Sequence, residues 1–363
     1  MRIASLDTFP IGLPFARPYR SATGRLERRE MVVVRIATED GAVGWGDAVP
    51  LGLRGGPGLA TVRHDLEQAC RPALAGADLG EGVASHPAGV RRCLQAGAGA
   101  QALSAIDIAL LDLVGKVEGE PAWRLLGAGA PGPVICNATI GADPPERAAA
   151  AAAAAARSRF TTIKVKVGDG DDLERMRAVR AAAGPDAALR IDANGVWPQE
   201  RAVERVTTLA GLGLELAEQP CATLAGLAAV RARTGVPVVA DESVGDVADA
   251  RAAIAAGACD AATLKLAKVG GPLAAIAVAR AAPAYLSSAL DSTLGIAAAA
   301  HTALALPRWG FAVGLAHGLA TASLFADNVA DDHPWSGPEI ELGERPGLGI
   351  DVDEPALSRL RLR

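Results

Sequence analysis

The chain has no excess of basic residues. Lys plus Arg number 36 against 41 Asp plus Glu, a formal net charge of -5, so there is no electrostatic footprint for nucleic acid or an anionic membrane. A small-molecule partner becomes the default. Paired cysteines are also missing. Cys70, Cys93, Cys136, Cys221 and Cys259 stand singly, odd in number and without C-x-x-C spacing, which excludes a zinc or redox site built on that motif and fits a reduced compartment. The opening stretch MRIASLDTFPIGLPF has no uncharged apolar core ahead of a small-residue cleavage site, and the alanine run 148–156 is too weakly apolar to anchor in lipid. A soluble, cytoplasmic protein is expected. Aromatics are only 3%, which beside the abundant Ala, Gly and Pro reflects GC-rich coding more than function. What is present suffices for a large core: 50% hydrophobic and 21% charged residues lie near the globular average. A length of 363 residues fits two domains, or one large barrel with an appendage.

The hydrophobic period changes along the chain. Up to about residue 50 it alternates, with MVVVRIA at 31–37, a turn at Glu39-Asp40-Gly41 and AVGWG at 42–46, the pattern of a hairpin and meander. From 58 to 126 it is helical, above all over 100–117, where Leu103, Ile106, Leu110 and Leu113 share a face. These segments predict an α+β domain over 1–128. Beyond Pro133, eight β-branched runs (133–140, 161–167, 187–192, 213–218, 236–241, 261–266, 284–289 and 310–315) alternate with alanine-rich helical windows such as 173–183, 199–212 and 247–256. Eight β/α units in roughly 190 residues fit a (β/α)8 TIM-type barrel, whereas a doubly wound sheet more usually stops at five or six strands. The expected architecture is α/β, with the barrel over 129–330 and a Pro- and Gly-rich tail, 331–363, returning to the first domain.

Barrel enzymes build their sites where strands end at the C-terminal face. Strand two ends Lys164-Val-Lys166, strand three Asp192-Ala-Asn194, strand four Glu218-Gln-Pro, strand five Asp241-Glu-Ser, and strand six carries Lys265. From Lys166 onward the separations are 26, 26, 23 and 24 residues, so one ionisable group recurs per unit at one height. Lys164 and Lys166, two apart, point to the same side of an extended strand. Each motif alone has a plain structural explanation: an exposed Lys-x-Lys, an Asn turn, a strand-ending cap, an N-cap cluster. Their recurrence on consecutive strands is what argues for a site. Three carboxylates crowded into a semi-enclosed mouth repel one another, and all-oxygen donors without His or Cys favour Mg2+, with Mn2+ as the alternative ion. Asp192, Glu218 and Asp241 are assigned as ligands and Asn194 as a group orienting Asp192 or a bound water. Lys164 would lower the pKa of Lys166 so that it serves as a base. Lys265 would face the opposite side of the substrate, an arrangement suited to abstracting a proton α to a carboxylate.

The runs Thr162-Ile-Lys-Val-Lys166, Arg190-Ile-Asp-Ala-Asn194, Glu218-Gln-Pro220, Ala240-Asp-Glu-Ser243 and Leu264-Lys-Leu-Ala-Lys-Val-Gly-Gly271 resemble the enolase superfamily in its muconate-lactonising subgroup. The likeness extends to Gly44-Trp-Gly-Asp-Ala48, where relatives often carry Glu in place of Asp47, and to Pro346-Gly-Leu-Gly-Ile350. The resemblance implies a modified (β/α)7β barrel under a capping domain, one Mg2+ and a Lys/Lys catalytic pair, the lysine-and-magnesium chemistry known for that superfamily. It also implies a homo-oligomer, since relatives are often dimers or octamers.

Acid-sugar dehydratases and mandelate racemases resemble one another in carrying a His after strand seven, where this chain has Ser287-Ser288. Dipeptide epimerases tend to show Asp-x-Asp after strand eight, where it reads Gly314-Leu-Ala-His317-Gly. The run 286–295 and the run 314–327 look like those of o-succinylbenzoate synthases, which implies a dehydration in menaquinone synthesis. Muconate cycloisomerases and N-succinylamino acid racemases share the same lysines and ligands and remain alternatives. Ser288 and Asp291 are expected to position the succinyl tail. Arg20, in a loop 17–28 over the mouth, is a candidate for a substrate carboxylate, and His317 a candidate contact. His301, Trp45 and Trp197 are read as packing residues. A Schiff-base aldolase or a non-catalytic metal-binding barrel are the readings from other classes.

Overall fold

The computed structural model describes residues 1–21, 24–52, 55–307, 309–331 and 335–362, the side chains of 20, 21 and 24 excepted. Strands β1 (Ile3–Ser21), β2 (Gly24–Thr38) and β3 (Val43–Ala48) form an antiparallel sheet in the order β1-β2-β3. Alternation sorts their side chains between two cores. Ile11, Leu13, Phe15, Met31 and Val33 pack in the cluster that includes the barrel, while Ile3, Leu6, Val32, Val34 and Ile36 pack with the helix Ala100–Glu118. That helix is buried at every residue from Gln101 to Gly115. The sheet reaches its backbone through two glycines. A Cβ on Gly44 would lie 2.1 Å from the Ala109 carbonyl oxygen, and one on Gly46 2.3 Å from that of Ala105. Residues 17–28, expected as a loop, are instead mostly the far end of the β1/β2 hairpin, where Tyr19 faces Leu26 after a register shift. Strand pairing carries this arm onward because its backbone groups find partners in each other.

The run 133–140 splits in two. β4 (Pro133–Ile135) leaves the barrel to pair antiparallel with Glu339–Glu341, whereas β5 (Ala138–Ile140) enters it. The partner changes at Cys136, whose N–H donates to the Pro338 carbonyl at 2.7 Å, while that of Asn137 turns to His317 at 2.8 Å. Strands β6 (Thr162–Lys166), β7 (Ala188–Asp192), β8 (Leu214–Glu218), β9 (Val238–Ala240), β10 (Ala261–Leu264) and β11 (Ala284–Leu286) follow, each parallel to the one before. The eighth position differs from expectation. Gly310–Ala312 is a 3-10 turn, and the ring closes a few residues later through isolated parallel bridges, His317 to Cys136 and Gly318 to Ser287. Gly318 lets the chain come that close, since a Cβ there would stand 2.5 Å from Ser287 Oγ. The result is the (β/α)7β form of the barrel. β12 (Glu339–Glu341) begins the return of the tail, in which Leu362 donates to the Pro10 carbonyl and Gly12 to that of Leu360. Trp45 and Trp197 are buried packing residues. Among the described residues no helix is long and apolar enough to cross a membrane.

Candidate active site

Parallel register places the charged residues side by side. Lys166 stands opposite Asp192, and Asp192 opposite Glu218, so three strand ends form one rung. Asp241 directly follows β9 and Lys265 directly follows β10. All five, with Lys164, are at most 4% exposed. Lys166 Nζ donates to Asp192 Oδ2 at 2.5 Å and to Asn194 Oδ1 at 2.9 Å. Lys164 Nζ meets both oxygens of Glu218 at 3.2 Å and Asp192 Oδ2 at 3.4 Å. Lys265 pairs with Asp241 Oδ2. The calcium- and magnesium-type donor set is therefore assembled: one oxygen from each of Asp192, Glu218 and Asp241 lies within 4.8 Å of the others, all buried. Hard carboxylate oxygens of this number suit an octahedral Mg2+ that keeps other positions open.

Just after two of these carboxylates, two residues hold the left-handed backbone that non-glycine residues rarely adopt, Asn194 at φ 48° and Gln219 at φ 38°. Their side chains account for it. The Asn194 N–H donates to Asp192 Oδ1 at 3.0 Å, and its amide reaches Glu242 Oε1 at 3.0 Å. Gln219 Oε1 accepts from the Asp241 N–H at 2.8 Å, and its Nε2 donates to Ser243 Oγ at 2.6 Å. The Glu-Gln-Pro motif thus ties the end of β8 to the end of β9 and sets the spacing of Glu218 and Asp241, two of the three carboxylates that could hold a metal.

Charge in the cluster is balanced among neighbours. Burial alone would depress the Lys164 ammonium, but the carboxylates of Glu218 and Asp192 outweigh it and hold it above the ordinary lysine value. Burial would raise Asp192, yet Lys166 and Lys164 hold it below the usual carboxylate range. Lys268, a helical turn beyond Lys265, adds a fourth ammonium, 2.9 Å from Asp241 Oδ1. Tyr285 donates its hydroxyl to Glu218 Oε2 at 2.8 Å, and burial with that carboxylate pushes its pKa up. Neither had been singled out. Lys268 lay inside the run 264–271, but a Tyr in a short apolar strand carries no signal.

Above the carboxylates opens a cavity lined by the arm and the barrel together, among others by Tyr19, Leu26, Arg29, Leu51, the three lysines 164, 166 and 265, and residues 287–290. Ser288 is therefore at the cavity. Asp291 is not among its lining residues; its Oδ2 accepts from Ser288 Oγ at 2.7 Å and from the Ala289 N–H at 2.8 Å, shaping the loop instead. His317 lies elsewhere. Its Nδ1 accepts from the Leu286 N–H at 3.0 Å, and its surroundings are Pro133, Ile135 and Ala284, because the chain at 316–318 is spent on closing the barrel. The Arg20 side chain falls outside the described residues, although its backbone pairs with Arg25 in the arm. Arg29, which went unmarked, is the arm's described cation at the cavity, and it donates to the Pro50 and Ala289 carbonyls at 2.6 and 3.1 Å. Asp47 in Gly-Trp-Gly-Asp accepts from the Ser292 N–H and Oγ at 2.9 and 2.6 Å, joining cap to barrel. Burial and the nearby Asp291 charge push its carboxyl up to about 7.

Residues 5–127 match the Mandelate racemase / muconate lactonizing enzyme, N-terminal domain, and residues 146–356 match the Enolase C-terminal domain-like family. The L-Ala-D/L-Glu epimerase of Bacillus subtilis is 32% identical over 368 residues, 96% of this chain and 97% of that protein. The o-succinylbenzoate synthase of Thermobifida fusca is 38% identical over 237 residues, 63% of this chain and 71% of that protein. The crystal structure of N-succinyl Arg/Lys racemase from Bacillus cereus superposes with a TM-score of 0.91 at 25% identity, over 100% of this chain and 99% of that one. With its cap matched by one domain and its barrel by the other, the chain belongs to the mandelate racemase/muconate lactonizing enzyme family, a family of enolase-superfamily enzymes.

Proposed function

We propose that this enzyme removes a proton α to a carboxylate in a succinyl-bearing acid, with dehydration of the o-succinylbenzoate synthase type as its reaction. The observation that carries this reading is the charge of the cavity wall. Its described lining includes Arg29, Lys164, Lys166 and Lys265 and no Asp or Glu. The three lysines are paired with the carboxylates behind them, so the wall would be net positive once Mg2+ occupied those carboxylates, and no acid lines it for a substrate ammonium. An epimerase acting on a free dipeptide has an ammonium to hold. Here the segment after β11 that closes the barrel, 314–318, contains no acid, and Asp327 further on is engaged by Arg359 at 2.8 Å. That weighs against carrying over the activity of the epimerase relative despite its coverage.

Asp192, Glu218 and Asp241 would hold Mg2+, which supplies Lewis-acid stabilisation of the negative charge that develops on the substrate carboxylate. Lys166 takes the α-proton. The C–H electron pair becomes a C=C bond as the hydroxyl departs from the next carbon, and the proton on Lys166 goes to that hydroxyl, which leaves as water. Lys164, held cationic by its carboxylates, sits beside Lys166 and stabilises charge on the carboxylate without taking part in proton transfer. Lys265 adds positive charge from the far side. Tyr19, Leu26, Leu51 and Leu290 give the ring an apolar wall that excludes water, and Arg29, on the same wall, is the candidate partner of the tail carboxylate. A second reading, racemisation of N-succinyl amino acids, is favoured by one observation: Lys166 and Lys265 both line the cavity from different strands, as a two-base exchange requires.

The test is a turnover comparison of the o-succinylbenzoate precursor, N-succinyl amino acids, cis,cis-muconate and L-Ala-L-Glu with Mg2+ present. The succinyl acids are expected to exceed the dipeptide by about 100-fold in kcat/KM, in line with a site lacking the partner for one charged group. Faster epimerisation of the dipeptide would overturn the reading. Lys166→Ala is expected to lower α-proton exchange into deuterium oxide by about 1,000-fold, as loss of a general base does, while calorimetry still finds metal binding.

A further inference from the structure

Beneath Lys166 lies a cation that the chemistry above does not use. Arg175, on the helix Asp172–Ala183, is 1% exposed, yet its guanidinium is fully engaged. Nε donates to the Asp143 carbonyl at 2.6 Å, in the connection after β5. Nη1 donates to Asp172 Oδ1 at 3.2 Å and approaches the carbonyl of Lys166 itself at 3.5 Å. Nη2 meets the two oxygens of Asp169 at 2.8 and 2.7 Å. Asp172 Oδ1 in turn accepts from the Gly168 N–H at 2.8 Å, closing the turn that leaves β6, where Gly168 and Gly170 have φ of 116° and 112°.

We infer that Arg175 is a positioning residue for Lys166: one buried guanidinium ties the turn after the base to the connection after the neighbouring strand, with its Nη1 at the limit of hydrogen-bond distance from the carbonyl of Lys166, and so supports from the backbone side the amine that Asp192 and Asn194 hold from the front. This rests on the reading of Lys166 as a base. The argument is geometric. Lys166 is the last residue of β6, and the ladder to β5 and β7 holds its N-terminal side and reaches one residue further, where the Val167 N–H donates to the Asp192 carbonyl at 3.0 Å. Beyond Val167, on the C-terminal side, the chain opens into a glycine turn with little stiffness of its own. A planar fork with five donors can tie that side to three segments at once, and an ammonium cannot. Lys265, on the opposite flank, makes no contact with Arg175 among its described bonds; its strand end runs into the short helix Leu266–Val269. The influence of Arg175 is therefore one-sided. Displacing a reacting group by on the order of 1 Å costs about 100-fold in rate.

The experiment takes up the second reading above, in which Lys265 is the base on the other face, and measures loss of the α-proton signal in deuterium oxide with Mg2+ for N-succinyl-L-phenylalanine and N-succinyl-D-phenylalanine separately. No exchange of either by the unsubstituted enzyme would overturn that two-base reading and the one-sided role of Arg175 with it. Lys166→Ala and Lys265→Ala, measured first, identify which enantiomer presents its proton to which lysine. Arg175→Lys is expected to slow exchange of the Lys166 enantiomer by about 30-fold and that of the Lys265 enantiomer by less than about 3-fold, with KM little changed, a split in the range set by such a displacement. Asp169→Asn, at the more exposed partner, keeps the fold and is expected to shift the same enantiomer by about 3-fold. Equal loss for both enantiomers, or none for either in both variants, overturns the assignment and leaves Arg175 as a fold residue alone. If Lys166→Ala fails to separate the enantiomers, the base itself is misassigned, and the role of Arg175 falls with it.

Discussion

Tyr285 shows how a single hydroxyl reaches the carboxylate cluster from another strand, β11. It donates to Glu218 Oε2 at 2.8 Å while its ring lies under the Arg190 guanidinium, 5.0 Å away. A ligand carboxylate held this way presents its other oxygen in a fixed direction, and loss of such a partner typically weakens metal affinity by about 10-fold. Tyr285→Phe is expected to raise the Mg2+ concentration for half-maximal activity by about that factor, read by metal titration of the rate, with the fold unchanged. His301 makes the opposite kind of prediction, about stability. Its Nδ1 accepts from the Trp123 N–H at 3.0 Å and its Nε2 faces the Leu348 carbonyl at 3.2 Å, so the neutral ring bridges helix and tail. Burial pushes its pKa down to about 4, below an ordinary value of 6.5. The unfolded chain therefore takes up a proton first. The contribution is complete above pH 6.5 and is lost as pH falls towards 4, amounting to about 3 kcal/mol. Asp47, raised to about 7, titrates in the opposite sense over the same window, so the His301 contribution is read as a difference: between pH 6.5 and 4 urea denaturation of the unsubstituted protein should lose about 3 kcal/mol relative to His301→Gln.

Among the elements, the packing of β3 on the helix Ala100–Glu118 depends on missing side chains. Gly44→Ala puts a methyl 2.1 Å from a backbone oxygen, a contact that no rotamer change relieves. The strand must shift, and a loss of about 3 kcal/mol is expected, measured by chemical denaturation. The helical and hairpin periods that reveal these two elements were legible because each turns an apolar face to the other, although the helix is buried on its remaining faces as well. The eighth strand was not. GFAVGL at 310–315 has β-rich composition, but closure of a ring is settled by which residues can reach both neighbours, and Gly318 with His317 fulfils that while 310–312 turns. The arm over 17–28 was misread for a similar reason: its arginines look like a loop until the pairing of Tyr19 with Leu26 is seen.

For the molecule as a whole, the site exists only when cap and barrel are assembled, since Arg29 from one and Lys166 and Lys265 from the other line the same cavity. Binding to the native state alone stabilises by about 2.7 kcal/mol at a ligand concentration 100 times Kd. Mg2+ is accordingly expected to raise the thermal midpoint of the protein, a chelator to reverse the rise, and Asp192→Asn to abolish it. A midpoint indifferent to Mg2+ in the unsubstituted protein would argue against the carboxylate cluster as a metal site.

Recurrence of Lys166, Asp192, Glu218, Asp241 and Lys265 at one-unit spacing was decided by the amino-acid sequence itself. A parallel β/α barrel converts such spacing into equal height, so the order of charges along the chain is also their order around the mouth. Three-dimensional packing alone decided the rest. Tyr285, Arg29, Asp47 and Arg175 act through contacts with residues far away in the chain or through groups of the backbone, and Asp291 and His317 are spent on a loop and a seam. A side chain's partner depends on the direction in which folding turns it, and no local pattern of residue types encodes that direction.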